Sequence, residues 1–463
     1  MHLTGRVSKN TALFITAFAS FITPFLGSSI NVALPRIGET FQMDAITLSW
    51  VTTIYLLSSA VFLVPFGKLA DIYGRRKIFI LGVATVTVTC FFAAFAPGTI
   101  TFMILRALQG FGSAMIFGTA IAIITSVFPK NERGKAMGIN VAAVYVGLTL
   151  GPFLGGILTN HFGWESIFLA LAPLGLLVFI LTILKLNREW AEAKGEKFDW
   201  QGSLVYGTAL LVFMYGLSIL PQWVGFILIG GGILGIYIFV QIEIRKTYPV
   251  FNMDLFFRNR QFAASSFTAM INYIATFGVA FLMSLYLQYI KGMTPQGAGQ
   301  ILALQPVVMA LFSPITGHFS DRYDAGLIAT IGLIILTTGL FLFVAIDYET
   351  PLLFIGVVLG VFGLGYAFFS SPNTNAIMSS VDRKYYGLAS GTVGTMRLTG
   401  QLVSMGIVML VFSVFIGQVE IQAENYDDFL SSAKLSFVIL GVFGILGIIL
   451  SATRIKKSNK QLF

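Results

Sequence analysis

Gly67-Lys-Leu-Ala-Asp71-Ile-Tyr73 returns 250 residues later as Gly317-His-Phe-Ser-Asp321-Arg-Tyr323. Other pairs keep the same order and nearly the same offset. Gly134-Lys-Ala-Met-Gly138 is echoed by Gly387-Leu-Ala-Ser-Gly391, Gly147 by Gly400, and Gly110 and Gly112 by Gly363 and Gly365. With 48 glycines in 463 residues, any one match arises easily by chance. Four in one order, within three residues of one offset, point to a duplicated unit.

What lies between the repeated segments is membrane-like. The chain is 56% hydrophobic and 11% charged, with a mean hydropathy of +0.85. A soluble chain of this length needs more charge to solvate its surface. Apolar runs of about twenty residues recur, each long enough to cross a hydrocarbon core as a helix. They predict spans at about 11–34, 46–66, 78–96, 99–127, 136–158, 166–184, 201–220, 223–242, 263–290, 297–317, 326–345, 351–376, 386–416 and 433–453. Only Pro221 and Gln222 separate the seventh from the eighth. Residues 11–34 follow Arg6 and Lys9 as in a signal peptide, but Asn31-Val-Ala-Leu-Pro35 is no small-residue cleavage site, and the stretch reads as the first span.

Fourteen spans put both termini on one side. With that side cytoplasmic, Arg36, Lys291 and Lys434 fall outside and Arg106 and Arg397 fall within spans. Every other Lys and Arg lies inside, as the positive-inside rule requires. The net charge of +9 therefore reads as topology and not as a nucleic-acid surface. The repeat unit holds six spans, 1–6 against 9–14, in parallel orientation. The expected domains are an N-terminal six-helix bundle (1–190), an inserted two-helix hairpin with its flanks (191–258) and a C-terminal six-helix bundle (259–463). The single cysteine, Cys90, excludes an intramolecular disulfide, and no His or Cys cluster suggests a metal.

Gly67-Lys-Leu-Ala-Asp71-Ile-Tyr-Gly74-Arg75-Arg76-Lys77 resembles the loop 2–3 signature of the major facilitator superfamily. A carboxylate and several cations at a helix end can build a charge network that latches one conformation, Asp71 capping a helix or pairing with Arg133 of Asn131-Glu-Arg133-Gly134. A solvated tight turn is the plainer reading. Asp321 and Arg322 hold the matching place in the second half. Arg106-Ala-Leu-Gln109-Gly110-Phe-Gly112-Ser-Ala114 resembles the span 4 motif of the superfamily's antiporters, where the Arg is implicated in proton coupling. Otherwise Arg106 snorkels to the interface and the glycines serve packing. Gly147-Leu-Thr-Leu-Gly151-Pro152-Phe-Leu-Gly155-Gly156 resembles the span 5 antiporter motif, which marks export. Its small residues four apart allow close helix approach, and Pro152 removes a backbone donor. Asn31-Val-Ala-Leu-Pro35, Phe198-Asp199-Trp-Gln-Gly202 and Pro249-Val-Phe-Asn-Met-Asp254-Leu-Phe resemble the fourteen-span drug:proton antiporter branch.

The resemblance covers essentially the whole chain. It implies an all-α membrane protein with the major facilitator fold: two six-helix bundles plus the inserted hairpin, with the substrate path between the bundles. It implies efflux of small amphipathic compounds by alternating access in exchange for protons, with no cofactor and no enzymatic chemistry. The expected setting is a prokaryotic plasma (inner) membrane, and the expected state a monomer.

One departure concerns the energy source. The branch often carries an aspartate five residues before the asparagine of Asn-Val-Ala-Leu-Pro, and here that residue is Leu26. All 20 Asp and Glu fall in loops or at span ends. Proton coupling is most simply done by a carboxylate within the membrane, and Arg stays protonated. Glu165 and Asp71 are the best carboxylate candidates, and Glu39 in the first outer loop is a weaker one. A uniporter or importer of an anionic or neutral solute, or a lipid flippase, is the alternative on the same fold. The deep charges are positive. Arg397, near the midplane, must face a cavity or a partner. That favours an anionic, zwitterionic or neutral amphipathic substrate over a lipophilic cation. Tyr55, Tyr145, Asn272, Gln305 and Asn373 complete the candidate lining as a group, although each such residue is more often interhelical glue than a ligand contact.

Overall fold

A computed structural model describes residues 8–129, 132–251, 253–381 and 386–455. Among these residues there are helices and no strands. In chain order the first eight helices are α1 (Lys9–Phe41), α2 (Ala45–Tyr73), α3 (Arg75–Ala93), α4 (Thr99–Val127), α5 (Arg133–Phe162), α6 (Glu165–Lys185), α7 (Trp200–Ser218) and α8 (Trp223–Arg245). A short α9 (Asp254–Arg258) leads to α10 (Arg260–Leu285), α11 (Pro295–Leu302), α12 (Leu304–Arg322), α13 (Ala325–Phe343), α14 (Leu352–Ser379), α15 (Tyr386–Phe415) and α16 (Tyr426–Ala452).

Each of the fourteen expected spans has its helix, most within a few residues. Thirteen are long and apolar enough to cross a membrane. α7 has the length but not the hydropathy, because Gln201, Ser203, Tyr206, Thr208 and Tyr215 dilute its apolar residues. Among the boundaries that differ, two have a visible physical cause. α1 does not stop at Pro35 but continues to Phe41. Pro35 has no N–H for the carbonyl of Asn31, and the Ser284 hydroxyl donates to that carbonyl at 2.6 Å instead. The ninth span ends at Ile290 as expected, α10 running on through one wide helical turn, Tyr286–Ile290. The tenth span is broken at Ala303 between α11 and α12. Pro306 clashes with the carbonyl of Leu302 and gives it no donor, which ends the first segment.

Contacts group the chain into two compact units. One contains Met1–Met253, Val279–Ala303 and Met405–Ala433, and the other contains Asp254–Gly278, Leu304–Ser404 and Lys434–Phe463. In the first, α1 packs on α5, α2 on α4, α3 on α4 and α6, and α7 on α8 and α2. In the second, α14 packs on α12 and α13.

The repeat read from the sequence is visible in the way glycines meet neighbouring backbones. In the first unit, a Cβ on Gly110 would collide with the carbonyl of Tyr55, and one on Gly82 would lie 2.8 Å from the carbonyl of Gly112. In the second, Gly363 stands in the same way against the carbonyl of Gln305, and a Cβ on Gly332 would lie 2.8 Å from that of Gly365. Gly147 meets the carbonyl of Phe21, and Gly400 that of Met270. The same helix pairs approach at the same points in both units. Tyr55 and Gln305, both candidate lining residues, are counterparts.

These contacts predict that Gly110→Ala and Gly363→Ala each destabilise the protein by about 1–3 kcal/mol through overpacking. Thermal unfolding in detergent checks this. Gly360→Ala, where a Cβ meets nothing within 4 Å, is the control expected to change little.

Candidate functional site

The loop between α2 and α3 is a built charge network. Gly74 ends α2 with φ +124°, a left-handed conformation that side chains rarely adopt, and a Cβ there would strike the carboxylate of Glu189. Arg75 then turns back into the protein and is only 6% exposed. It pairs with Asp71 at 2.8 Å and grips both oxygens of Glu192 at 2.9 and 3.0 Å. Its guanidinium also donates to the Ser126 hydroxyl (2.6 Å) and to the Ala122 carbonyl (3.1 Å), both on α4. Such a planar fork, bonded on several sides, is a fixed junction rather than a solvated charge.

The acidic partners come from the chain after α6. Glu189 accepts the backbone N–H of Arg76 at 2.8 Å, an anion at the N-terminus of α3. The backbone N–H of Arg75 donates to the carbonyl of Trp190, and that of Ala193 to the carbonyl of Asp71. Glu196 pairs with Lys68 at 2.5 Å. Sequence reasoning missed Glu189, Glu192 and Glu196 as partners. Their signal was present: three carboxylates three and four residues apart, facing a basic loop.

The expected pairing of Asp71 with Arg133 is corrected. Arg75 lies four residues from Asp71 and takes its carboxylate, while the Arg133 side chain donates to the carbonyl of Phe128 at 3.0 Å. Lys9 pairs with Glu132 beside it. Gly67 faces open space on α2 at its own Cβ position, yet its backbone nitrogen lies 3.3 Å from where a Cβ on Gly118 would be. Arg322 is exposed at the end of α12. The side chain of Asp321 lies outside the described residues, as does Asn131.

Arg106, Gln109 and Tyr55 form one buried constellation. Arg106 does not snorkel; it is fully buried and turned inward. Its Nε donates to the carbonyl of Val51 at 3.1 Å and its Nη1 to Gln109 Oε1 at 2.8 Å, and its guanidinium carbon lies 4.8 Å from the Tyr55 ring centre. Gln109 donates onward to the Thr89 carbonyl at 3.4 Å, and the Tyr55 hydroxyl meets Ser113 (3.0 Å) and the Thr23 carbonyl (3.1 Å). Helices α1 to α4 are thus tied at one depth. Buried Arg106 Nη2 has no hydrogen-bond partner.

The small residues of α5 serve two neighbours. Gly151 and Gly155 abut Ser28 and Ser29 of α1, beyond Gly147 against Phe21. On the other face, a Cβ on Gly156 would lie 2.6 Å from the carbonyl of Pro295, and Gly299 meets the carbonyl of Pro152. His161 Nε2 and Gln296 Oε1 lie 3.1 Å apart beyond this crossing. Gln288 donates to the carbonyl of Val32 at 3.0 Å, next to the bond from Ser284 to Asn31. At the end of α1 far from its N-terminus, the backbones of α1, α5 and α11 are therefore in contact, with side chains of the α10 extension bonded to α1.

The other candidates are spread. Tyr145 on α5, Arg397 on α15 and Gln305 on α12 are half-buried. Asn272 is 1% exposed, and neither atom of its amide has a partner. Asn373 is engaged by its own unit: it donates to the Ser265 carbonyl at 3.2 Å and accepts from Arg454 at 2.6 Å. Glu165 is the first residue of α6, where a carboxylate suits the helix dipole. Every acidic residue in a helix lies in its first or last turn.

Long apolar helices with glycine-mediated crossings and a charge network in a loop suit a membrane transporter. The sequence profile of the Major Facilitator Superfamily matches residues 16–405 and, in an overlapping second match, 265–462. The chain belongs to that superfamily and is not an enzyme. It is 28% identical over 98% of its length to the riboflavin transporter RibZ of Clostridioides difficile, covering 99% of that protein. It is 30% identical over 84% of its length to the multidrug resistance protein Stp of Mycobacterium tuberculosis, covering 73% of it. A solved bacterial homologue of the human lysosomal transporter Spinster shares the fold, with a TM-score of 0.68 at 15% identity over 96% of each chain.

The network predicts that Arg75→Ala, which strands two carboxylates and two α4 oxygens, costs about 2 kcal/mol of stability. Glu192→Gln, at a largely exposed partner, costs under about 1 kcal/mol. Unfolding temperatures of the two variants, compared side by side, check the order.

Proposed function

We propose that this transporter exports small amphipathic compounds by alternating access, driven by proton antiport. The observation that carries the reading is the α5 glycine stripe. Backbone-to-backbone packing of α5 on α1 and α11 makes a seal without bulky interlocking side chains, which can slide open at low cost. The resemblance ties the same stripe to export, and Stp is one relative named for drug resistance. The Arg75 junction latches the side that bears the N-terminus, which we take as cytoplasmic from the distribution of Lys and Arg. The setting is then a prokaryotic plasma membrane with both termini inside. The working unit is a monomer of two six-helix bundles and a hairpin, with no cofactor.

Substrate contact is assigned to Arg397 with Tyr145, Asn272 and Gln305, and coupling to the Arg106 constellation with Asp71 or Glu165. A cation in the path and no carboxylate away from a helix end favour an anionic, zwitterionic or neutral substrate. One observation favours a second reading, uniport or import of a neutral or anionic solute. It is that same lack of a carboxylate inside the helices, beside full-length similarity to a riboflavin transporter.

Transport by the purified chain in vesicles separates the two. Antiport predicts accumulation that stops when the proton gradient is dissipated, whereas uniport predicts facilitated flux that persists. Arg397→Ala is expected to reduce transport of anionic and neutral compounds at least about tenfold, the loss of roughly 1.4 kcal/mol of substrate binding. Transport restricted to cations and indifferent to this substitution would refute the substrate assignment.

A further inference from the structure

Two acidic side chains are buried among the described residues, Asp199 at 6% exposure and Glu243 at 2%, and they meet each other. Asp199 precedes α7 and caps it, its Oδ1 accepting the N–H of Gly202 at 3.0 Å and Lys246 Nζ at 3.1 Å. Glu243 sits in the last turn of α8, and its Oε2 accepts the N–H of Phe251 at 2.7 Å. The other two oxygens, Asp199 Oδ2 and Glu243 Oε1, are buried and receive no N–H or O–H from any further group. Gly202 makes the room for them. A Cβ on it would strike Glu243 Oε1 and come within 2.7 Å of Asp199 Oδ2, so both oxygens converge on one point.

The charge count at this place is one short. Lys246 is the cation bonded to the pair, and it balances one carboxylate. Lys68 on the adjoining α2 is taken by Glu196. Lys197 and Arg245 bracket the pair in sequence without a hydrogen bond or ion pair to either carboxyl. Two ionised carboxylates in buried contact repel, and each leaves an oxygen unsatisfied. One proton between them removes the excess charge and supplies the missing donor, the arrangement that paired carboxyl groups adopt elsewhere.

We infer that Asp199 and Glu243 form a proton-binding site, a carboxyl–carboxylate clasp at the base of the inserted hairpin. One proton then joins three pieces: the start of α7 through the cap, the end of α8, and the chain leading to α9 through Phe251. Loss of the proton replaces the central bond by like-charge repulsion. The stability the clasp provides is therefore full at pH values below the ordinary carboxylate range, and is lost as the pH rises through the titration of Glu243, which burial pushes up.

The test needs no transport substrate, so it stands apart from the reading of direction and coupling above. Infrared difference spectra of the full-length protein in lipid, taken across a step from acid to alkaline pH, should show loss of a protonated-carboxyl carbonyl band. The band should be missing in Glu243→Gln and shifted or missing in Asp199→Asn. Unfolding temperature should fall with rising pH in the parent protein and lose that slope in Glu243→Gln, whose amide donates to Asp199 at every pH. If Glu243→Gln does not fold, Asp199→Asn, which keeps the helix cap, carries the spectroscopic test. An unchanged band in either variant, or an unchanged pH slope in Glu243→Gln, overturns the proposal.

Discussion

Helices in lipid are not pressed together by water, so they hold only where their backbones come close enough for dispersion and polar contact to add up. This chain meets that demand at glycine. Gly110 against Tyr55, Gly82 against Gly112, Gly147 against Phe21 and Gly299 against Pro152 each bring a carbonyl to where a side chain would stand. The helix pairing at these points in both units and the approach of α11 to α5 rest on these crossings. The same economy makes movement possible. A smooth backbone contact has little to unlock, whereas the bonds at its ends, such as Ser284 to Asn31, can break and form singly.

Charge is handled by a different rule. Where the chain leaves the membrane, charges are numerous and several of them are paired. The Arg75 junction gathers α2, α3, α4 and the chain after α6 into one knot of charge-assisted bonds. Within the helices, Arg106 has only neutral partners: a carbonyl, an amide and the face of Tyr55. Among the described residues, carboxylates keep to the first and last turns of helices and to the loops. The buried pair of Asp199 and Glu243 lies at the mouth of the hairpin, where one lysine and one proton together balance it.

Much of the fold was legible because its causes are periodic or compositional. Apolar runs of membrane length mark the helices, and the glycines of the repeat mark their crossings. The offset alone pairs Gly110 with Gly363 and Gly147 with Gly400, and each pair stands at matching backbone contacts. What stayed hidden was tertiary choice. Nothing in the run through Pro35 says that Ser284, some 250 residues on, supplies the bond that lets α1 continue. Asp71 has several cations within reach in sequence, and the choice of Arg75 over Arg133 depends on how the chain after α6 folds back. Asn373 reads as a lining residue until Arg454, near the far end of the chain, is seen to occupy it.

The central claim is that the contact of α5 with α11 is a seal that opens during transport. His161 and Gln296, 3.1 Å apart, flank it. In a Cys90→Ala background, cysteines at these two positions should be joined by a short bifunctional thiol reagent that carries a reducible disulfide in its spacer. Transport in vesicles should then stop, and should return on reduction. A cross-linked protein that transports at the rate of the reduced one would contradict the account.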